Sequence, residues 1–383
     1  MQMMRPKRFL PFLVLCLVLS SCSTLPLLTE TSATIWKQLP PGTAPATYAS
    51  ISCAAGRCLA AGQEATASDG SSLPLLVALS PSTERVTRIS TTLLTRKDTV
   101  SGVSCQTDGT CWLVGNEATQ HGSQTLILKF QNGTLRRVAS PNAPAPFNQN
   151  DLAAVACPTP TSCWAVGQAT DPLNTGYVLI EHLSTGRWLT ARAPSTDPTG
   201  AAQLAAVSCT SPVWCVAAGS ASSGATHHTP RALVETLSQG GWHLVSLPAT
   251  QDIAALSGVS CPREGFCRAV GTLTTADGTL LPYLVTEAAG TWTAGLLAAG
   301  SKDSLAGISC PDVTVCYAVG TTAPANAPGT HFAARWTASG WKSISLPSLT
   351  GTSLAAISCQ SASLCAAVGS ADVTGEGIIF RSS

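Results

Sequence analysis

Seven cysteine pairs divide this chain into repeats. The two cysteines of a pair are close in sequence, and the first cysteines of successive pairs recur every 49 to 52 residues. The pairs are Cys53/Cys58, Cys105/Cys111, Cys157/Cys163, Cys209/Cys215, Cys261/Cys267, Cys310/Cys316 and Cys359/Cys365. A fixed period of this length indicates one structural unit copied along the chain, as in solenoids and propellers. We therefore predict one repeat-built body, although 383 residues could form two or three ordinary domains.

The cysteine count favours disulfide bonds within the pairs. Of the 16 cysteines, only Cys16 and Cys22 lie outside the pairs, and both are close to the N-terminus. An even, regularly spaced set in an exported chain is typical of disulfides. Metal binding is the alternative. Structural zinc sites need four ligands, usually more closely spaced within a pair, and no histidine repeats in register with the cysteines.

The N-terminus has the pattern of a targeting segment. Arg5, Lys7 and Arg8 precede an apolar run from Phe9 to Leu19, which is short for a membrane span. The run ends in Leu19-Ser-Ser-Cys22, which resembles the lipobox of bacterial lipoproteins. That resemblance implies cleavage before Cys22 and a lipid on Cys22. Ordinary signal cleavage, with Cys22 incidental, is the alternative.

Each repeat contains four segments with strand character. The third repeat begins with Leu152-Ala-Ala-Val-Ala-Cys157, turns sharply, and returns as Cys163-Trp-Ala-Val-Gly167. Two apolar runs joined by a short polar turn predict a hairpin. A third strand follows at Tyr177 to Glu181, and a fourth carries Trp188. Four antiparallel strands in about 50 residues is the size of a propeller blade.

The two ends of the chain favour a closed ring. The seventh repeat stops after its third strand, residues 377–381, and residues 34–40 resemble the fourth strand of the sixth repeat, residues 340–347. An open solenoid would need polar caps at both ends. We predict an all-β fold, a seven-bladed β-propeller with four-stranded antiparallel blades, whose ring is closed when the N-terminal strand completes the last blade. The predicted organisation is a lipoprotein signal peptide (1–21), a tether (22–33) and the propeller (34–383).

The repeated Ile/Val-Ser-Cys and Cys-x-Ala-Val-Gly hairpin, with a Gly-Trp turn, resembles a known superfamily. The chain looks like a bacterial exported lipoprotein β-propeller of the sialidase-like and photosystem-assembly-factor-like superfamily. The Asp-box of that superfamily lacks its aspartate here, as in Ser184-Thr-Gly-Arg-Trp188. A sialidase would also need an arginine trio, an acid, and a tyrosine with a glutamate base. The arginines here follow no such pattern, and the Arg-Ile-Pro element is missing.

Composition narrows the classes of partner. Only 11% of residues are charged and the formal net charge is +1, so no basic surface predicts nucleic-acid binding. No cofactor motif or metal motif stands out. Tryptophans could stack on sugars, but five of them occupy one repeated position, which predicts packing between blades. These are Trp36, Trp188, Trp242, Trp292 and Trp341.

The sequence favours binding over catalysis. We expect a monomer outside the cytoplasm, lipid-anchored to the cell membrane, that binds or scaffolds a protein or a cell-envelope glycan. The alternative is an exported carbohydrate-active hydrolase or lyase of sialidase-like architecture. The loops after each second strand are long and unlike one another, so we place the binding face there. The candidate residues are His121, Asp171, His227, His228 and Arg231. Solvated loop side chains, with Asp171 closing its own turn, are the alternative reading.

Overall fold

The computed structural model of this chain describes most residues from Ile35 onwards. The described stretches are residues 35–39, 46–65, 72–80, 83–173, 175–194, 200–222, 229–248, 252–297, 303–322, 329–371 and 376–382. They fall within one folded unit, Ile35–Ser383. None of these stretches forms a helix with the length and hydropathy needed to cross a membrane. The predicted signal peptide, the tether and Cys22 lie outside the described residues.

The described strands form seven antiparallel sheets of four strands each, and each sheet is one blade. Within a blade we name the strands inner, second, third and outer, in the order in which they pair. In blades 1 to 6 this order is also the chain order. The predicted seven-bladed β-propeller is confirmed.

The strands are numbered along the chain. The N-terminal strand is β1 (Trp36–Gln38). Blade 1 contains β2 (Ala46–Ala54), β3 (Arg57–Ala65), β4 (Ser72–Ser80) and β5 (Arg85–Ile89). Blade 2 contains β6 (Asp98–Cys105), β7 (Cys111–Ala118), β8 (Ser123–Gln131) and β9 (Thr134–Val138). Blade 3 contains β10 (Gln149–Thr159), β11 (Ser162–Thr170), β12 (Gly176–Ser184) and β13 (Arg187–Ala191).

The remaining blades follow the same plan. Blade 4 contains β14 (Ala201–Ser211), β15 (Trp214–Ser222), β16 (Arg231–Ser238) and β17 (Gly241–Leu244). Blade 5 contains β18 (Ile253–Arg263), β19 (Phe266–Thr274), β20 (Leu280–Ala288) and β21 (Thr291–Leu296). Blade 6 contains β22 (Asp303–Asp312), β23 (Val315–Thr322), β24 (Thr330–Thr337) and β25 (Gly340–Ser343). Blade 7 contains β26 (Thr352–Cys359), β27 (Cys365–Ala371), β28 (Gly377–Ser382) and, as its outer strand, β1.

Each inner strand carries a β-bulge, which explains the glycine that ends the Cys-x-Ala-Val-Gly motif. In blade 3, Leu152 pairs with Gly167 and Ala154 pairs with Val166, so that Ala153 is an extra residue. A Cβ atom on Gly167 would lie 1.9 Å from the carbonyl oxygen of Asp151. The equivalent glycines of the other blades meet the inner strand at 1.8 to 2.0 Å. Only glycine permits so close an approach of the two backbones.

Each hairpin of inner and second strands is closed by its own disulfide. All seven predicted cystines form, and no described cysteine bonds to another blade. Because the inner strands consist of small residues, their pairing register is weakly specified by side-chain size. The disulfide fixes that register, and the predicted disulfides are confirmed.

The second cysteine of each pair is also a core residue, which the sequence analysis did not foresee. Four of them are 0% exposed: Cys163, Cys215, Cys267 and Cys316. Each of these four belongs to an apolar cluster that packs at a blade border. The sulfur atoms of these four cysteines therefore have no solvent contact, in addition to forming the predicted disulfides. The physical reason is that the second strand lies between two neighbours in its sheet and faces the next blade.

The serine before each first cysteine joins neighbouring blades. The backbone N–H of Cys105 donates to Ser52 Oγ of the preceding blade at 2.9 Å. The same bond occurs at six borders of the described ring, with distances of 2.9 to 3.1 Å. The exception is the border of blades 3 and 4, where Ala156 replaces the serine and offers no acceptor to Cys209. These bonds form a ring of contacts around the inner strands.

Apolar side chains fill the borders between blades. Trp188 is 5% exposed and lies in one cluster with Trp112 of blade 2 and Cys163 of its own blade. Trp36 and Trp242 are buried to a similar degree, and Trp292 and Trp341 pack against the clusters at their borders. The five outer-strand tryptophans therefore have the packing role that their repeated position predicts.

The ring closes through the N-terminal strand. In β1, Trp36 pairs with Ser382, Lys37 with Arg381, and Gln38 with Phe380. Glu84, in a turn of blade 1, forms ion pairs with both Lys37 and Arg381. The predicted completion of the last blade by an N-terminal strand is thus confirmed.

Candidate functional site

The inner strands surround a central channel whose lining has no ionisable side chain. Its volume is 180 Å³, and alanine, serine, glycine, valine and isoleucine line it. Two of the three serine hydroxyls that line it have structural partners: Ser50 Oγ accepts from the backbone N–H of Val103 at 3.1 Å, and Ser257 Oγ donates to the carbonyl of Leu305 at 2.7 Å. A hydroxyl without a neighbouring base is a poor nucleophile. The channel lining therefore contains no group that could act as a catalytic acid or base.

Two carboxyl groups whose pKa values are raised to about 8 are buried between blades. Burial raises the pKa of Glu181 to about 8, although hydrogen bonds from Ser140 and Thr125 act in the opposite direction. Burial also raises the pKa of Glu235 to about 8. Raised carboxyl pKa values often mark catalytic acids. Both side chains are 0% exposed, so neither can touch a substrate in this structure.

In blades 1 and 2, ion pairs lie near the start of the inner strand. The sequence analysis did not predict them. In blade 2, Arg137 Nη2 lies 2.6 Å from a carboxylate oxygen of Asp98, and Arg137 Nη1 lies 2.8 Å from Glu117 Oε2. In blade 1, Arg88 pairs with Glu64 at the equivalent position. The available signal was a glutamate six residues after the second cysteine in both repeats. These pairs are structural, because the three carboxylates and the two guanidinium groups already have partners.

The loops after the second strands share one end of the propeller with the connections between blades, as predicted. We call this end the variable-loop face. Its described loops include residues 119–122, 171–173 and 275–279, and its described connections include residues 139–148. The start of a third strand also bonds to a connection there: the N–H of Gly176 in blade 3 donates to the carbonyl of Gly200, in the connection to blade 4. The opposite end, which we call the hairpin face, carries the disulfide hairpins.

His121 lies at the tip of the blade 2 loop and is exposed. The side-chain amide of Asn148, in the connection to blade 3, donates to the carbonyl oxygen of His121. The N–H of Ser123 donates to the carbonyl of Asn148 at 2.9 Å, and Ser123 Oγ donates to Asp151 at 2.8 Å. A Cβ on Gly122 would lie 2.0 Å from the Asn148 carbonyl oxygen. The loop is thus fixed against blade 3, and the imidazole of His121 projects from a defined backbone.

Asp171 closes its own turn. Its Oδ1 accepts the N–H groups of Leu173 and Thr175, both at 2.9 Å. Beneath the two loops, the rings of Phe147 and Tyr177 pack edge to face with centroids 4.6 Å apart. The structure therefore brings Asp171 and His121 to the same corner of the ring, at the border of blades 2 and 3. It gives Asp171 the local hydrogen-bonding role.

The other candidates lie on blade 4. Arg231 is exposed and begins β16, where it pairs with Ala221 across the sheet. His227 and His228 lie outside the described residues. Within the described part of the chain, no group of three or more His, Cys, Asp or Glu side chains could hold a metal ion. The described candidate residues therefore lie on an exposed surface that a partner could contact, and the described residues form no metal centre.

No protein-family model matches the chain, and no curated protein is significantly similar to it in sequence. Among solved structures, it is similar to one described as YCF48 bound to D1 peptide. The two sequences are 12% identical, the match covers 92% of this chain and 96% of that chain, and the TM-score is 0.54. At this identity the likeness shows the propeller fold, on which many functions are built.

Proposed function

We propose that this protein is a membrane-anchored extracytoplasmic module that binds or scaffolds a partner through its variable-loop face. The partner is a protein segment or a cell-envelope glycan. The disulfides indicate an oxidising compartment outside the cytoplasm, because the cytoplasm keeps thiols reduced. The solved neighbour with a bound peptide supports a protein segment as partner, since it has the same architecture.

The observation that carries the proposal is the fixed geometry of unlike loops at the border of blades 2 and 3. The blade 2 loop presents an exposed imidazole and is tied to the next connection by Asn148. The blade 3 loop is closed by Asp171 and supported by an aromatic pair. Loops that are ordered before binding lose little conformational entropy when a partner arrives. Dissimilar loops on a rigid scaffold are where binding residues concentrate.

Carbohydrate hydrolysis has less support. Glycosidases use a pair of accessible carboxyl groups, whereas the channel lining contains none and the carboxyls with the highest pKa values are buried. Turnover of a cell-envelope glycan by the purified protein would overturn the binding proposal.

Crosslinking on living cells tests the proposal. Residues 119–122 and 171–175 are replaced by short Gly/Ser turns, with Ser123 and Gly167 kept because the fold uses them. We expect the variant to unfold at nearly the wild-type temperature and to lose its crosslinked partner. Thr185→Asn is the control on the hairpin face, since Thr185 has φ +51° and asparagine tolerates that conformation. Capture that survives loop replacement would contradict the proposal.

The membrane anchor has its own test. Cys22→Ala removes the group that the lipobox resemblance would modify. We expect the variant to leave the membrane fraction or to keep its signal peptide, as read by fractionation and intact mass. A variant that matures normally and still fractionates with membranes would contradict lipidation while leaving the binding proposal standing.

A further inference from the structure

Large side chains fill the gaps between blades near the hairpin face. At four borders they form a pair. The first side chain of the pair follows the second cysteine of one blade, and the second side chain lies on the third or outer strand of the next blade. The aromatic pairs are Trp112 with Trp188, Trp164 with Trp242, and Tyr317 with Trp36, with ring centroids 5.5, 5.5 and 6.2 Å apart. In blade 5 the guanidinium of Arg268 lies 3.5 Å from the ring centroid of Trp336.

The border of blades 1 and 2 has a large aromatic side chain on one side only, Phe130 from the third strand of blade 2. Leu59 stands at the position after the second cysteine, and Leu135 stands where five outer strands carry tryptophan. The blade 1 hairpin is also shorter, since its cysteines are separated by 5 positions and those of the other hairpins by 6. A cleft of 460 Å³ lies between the two hairpins. That volume lies in the range of ligand sites.

The cleft has an apolar floor and a polar rim. Leu59, Ala78 and Phe130 line the floor together with cysteine side chains of both hairpins. Arg57, Asp108 and Asn132 line the rim and are exposed. The guanidinium of Arg57 has no ion-pair partner among the described residues. The Asp108 carboxylate accepts from Thr110, at 2.9 and 3.2 Å, so acceptor capacity remains.

We propose that this cleft binds a peptide segment that places a large apolar side chain on the floor and an adjacent acidic side chain against Arg57. This site lies on the hairpin face and goes beyond the function proposed for the variable-loop face. An aromatic side chain would restore the packing that the neighbouring borders obtain from Trp112 or Trp164. Its burial would supply affinity in proportion to the apolar area removed from water.

The rim favours a peptide over a simple amphipathic anion. A peptide backbone presents both N–H donors and carbonyl acceptors, so it needs both kinds of group opposite it. The rim offers donors from Arg57, acceptors from Asp108, and both from the amide of Asn132. A fatty carboxylate would use only the cation and would leave the Asp108 carboxylate and the Asn132 amide without a partner.

The test uses a defined probe, the acetylated and amidated peptide Gly-Ser-Phe-Glu-Ser-Gly with a 4-fluorinated phenylalanine ring. Fluorine NMR reports its binding to the purified mature protein. We expect saturable binding that Leu59→Trp weakens at least tenfold, because an indole would occupy the floor as it does in blades 2 and 3. Leu59→Met, which keeps the cleft open, should bind within threefold of wild type. Thermal unfolding checks that both variants fold.

A second comparison decides the role of Arg57 without altering the floor. Arg57→Gln should weaken the acidic probe three- to tenfold and leave a probe with glutamine in place of glutamate unchanged. Arg187→Gln, an exposed arginine on blade 3, is the control and should have no effect. The variant with replaced variable loops should bind the probe normally, which separates this site from the proposed function. The proposal would be overturned if the wild type shows no saturable binding of the peptide, or if it binds octanoate but not the peptide.

Discussion

At the residue scale, Glu235 is a buried carboxylic acid in an apolar environment. It lies on β16 between Leu233 and Leu237, which belong to the apolar cluster at the border of blades 3 and 4. Both of its carboxylate oxygens are buried without a hydrogen-bond partner among the described residues. The equivalent position is Leu128 in blade 2, which pairs with Leu113 as Glu235 pairs with Ala217. An unpartnered buried carboxylate is costly, so the group stays protonated near neutral pH.

This burial predicts that stability falls as pH rises. The pKa of Glu235 is raised from 4.5 to about 8 in the folded protein, so the folded state binds one more proton between those values. The stabilisation is fully present below about pH 4.5 and is lost as pH rises to about 8, at up to about 1.4 kcal/mol per pH unit. Glu181 adds a second contribution of the same sign.

Glu235→Leu should flatten this dependence and raise the free energy of unfolding by about 1–4 kcal/mol at pH 8. Urea unfolding at pH 5, 6.5 and 8, with the disulfides intact, measures it. Glu235→Gln is the matched control: it removes the titration but keeps a buried polar group, so it should flatten the slope with a smaller gain. An unchanged slope in both variants would show that Glu235 ionises freely in the folded protein.

At the element scale, the serine-to-cysteine bonds decide how neighbouring hairpins are held. Each bond runs from the end of one inner strand to the same point on the next. Five of them join residues 50 or 53 positions apart, and the bond from Cys53 to Ser358 spans 305 positions. Repeat analysis predicts each hairpin, because a hairpin is local in sequence. It does not predict this bond, because the relative position of neighbouring blades is not encoded within one repeat. The available signal was the serine itself, present in six repeats and replaced by Ala156 in one.

Ala156→Ser should complete this ring of bonds. The new hydroxyl would stand where Ser104 and Ser208 stand in their blades and would accept from the N–H of Cys209. We expect a gain of about 0.5–1.5 kcal/mol, the usual contribution of one hydrogen bond. Ser208→Ala, which deletes the bond to Cys261, should lose a similar amount. Equal thermal unfolding temperatures for wild type and both variants would contradict this role.

At the scale of the whole molecule, closure depends on the N-terminal strand. Trp36 is 7% exposed and lies 6.2 Å from the ring of Tyr317, so β1 fills the border of blades 6 and 7 as well as completing a sheet. Without β1, the edge of β28 would be unpaired. Exposed strand edges template aggregation.

Deletion of residues 33–40 should therefore destabilise the entire ring. We expect a markedly lower unfolding temperature and soluble aggregates in size-exclusion chromatography. Deletion of residues 23–32, which removes tether and leaves β1, is the control and should leave both measurements unchanged. Normal unfolding of the 33–40 deletion would contradict closure by β1.

The predictable and unpredictable parts of this molecule divide by the range of the interaction. The disulfides, the hairpins and the closing strand follow from patterns within one repeat or between two similar ones. The bond from Ser104 to Cys157, the burial of Glu235 and the cleft beside Leu59 depend on contacts across a blade border. The variable loops carry the candidate site, and their unlike sequences contain no repeat from which to predict it. His121 was singled out, while the amide of Asn148 that positions its loop was not.

The confinement of each disulfide to a single hairpin has a consequence for the export that we propose. A chain that crosses a membrane from its N-terminus presents each second cysteine only 5 or 6 positions after its partner. If the cysteines are oxidised in the order in which they emerge, each cysteine pairs with its native partner. No cysteine has to stay reduced until a distant part of the chain emerges. β1 emerges first, but its partner strand β28 is the last to appear. Covalent maturation is thus sequential, whereas ring closure is postponed until translocation ends.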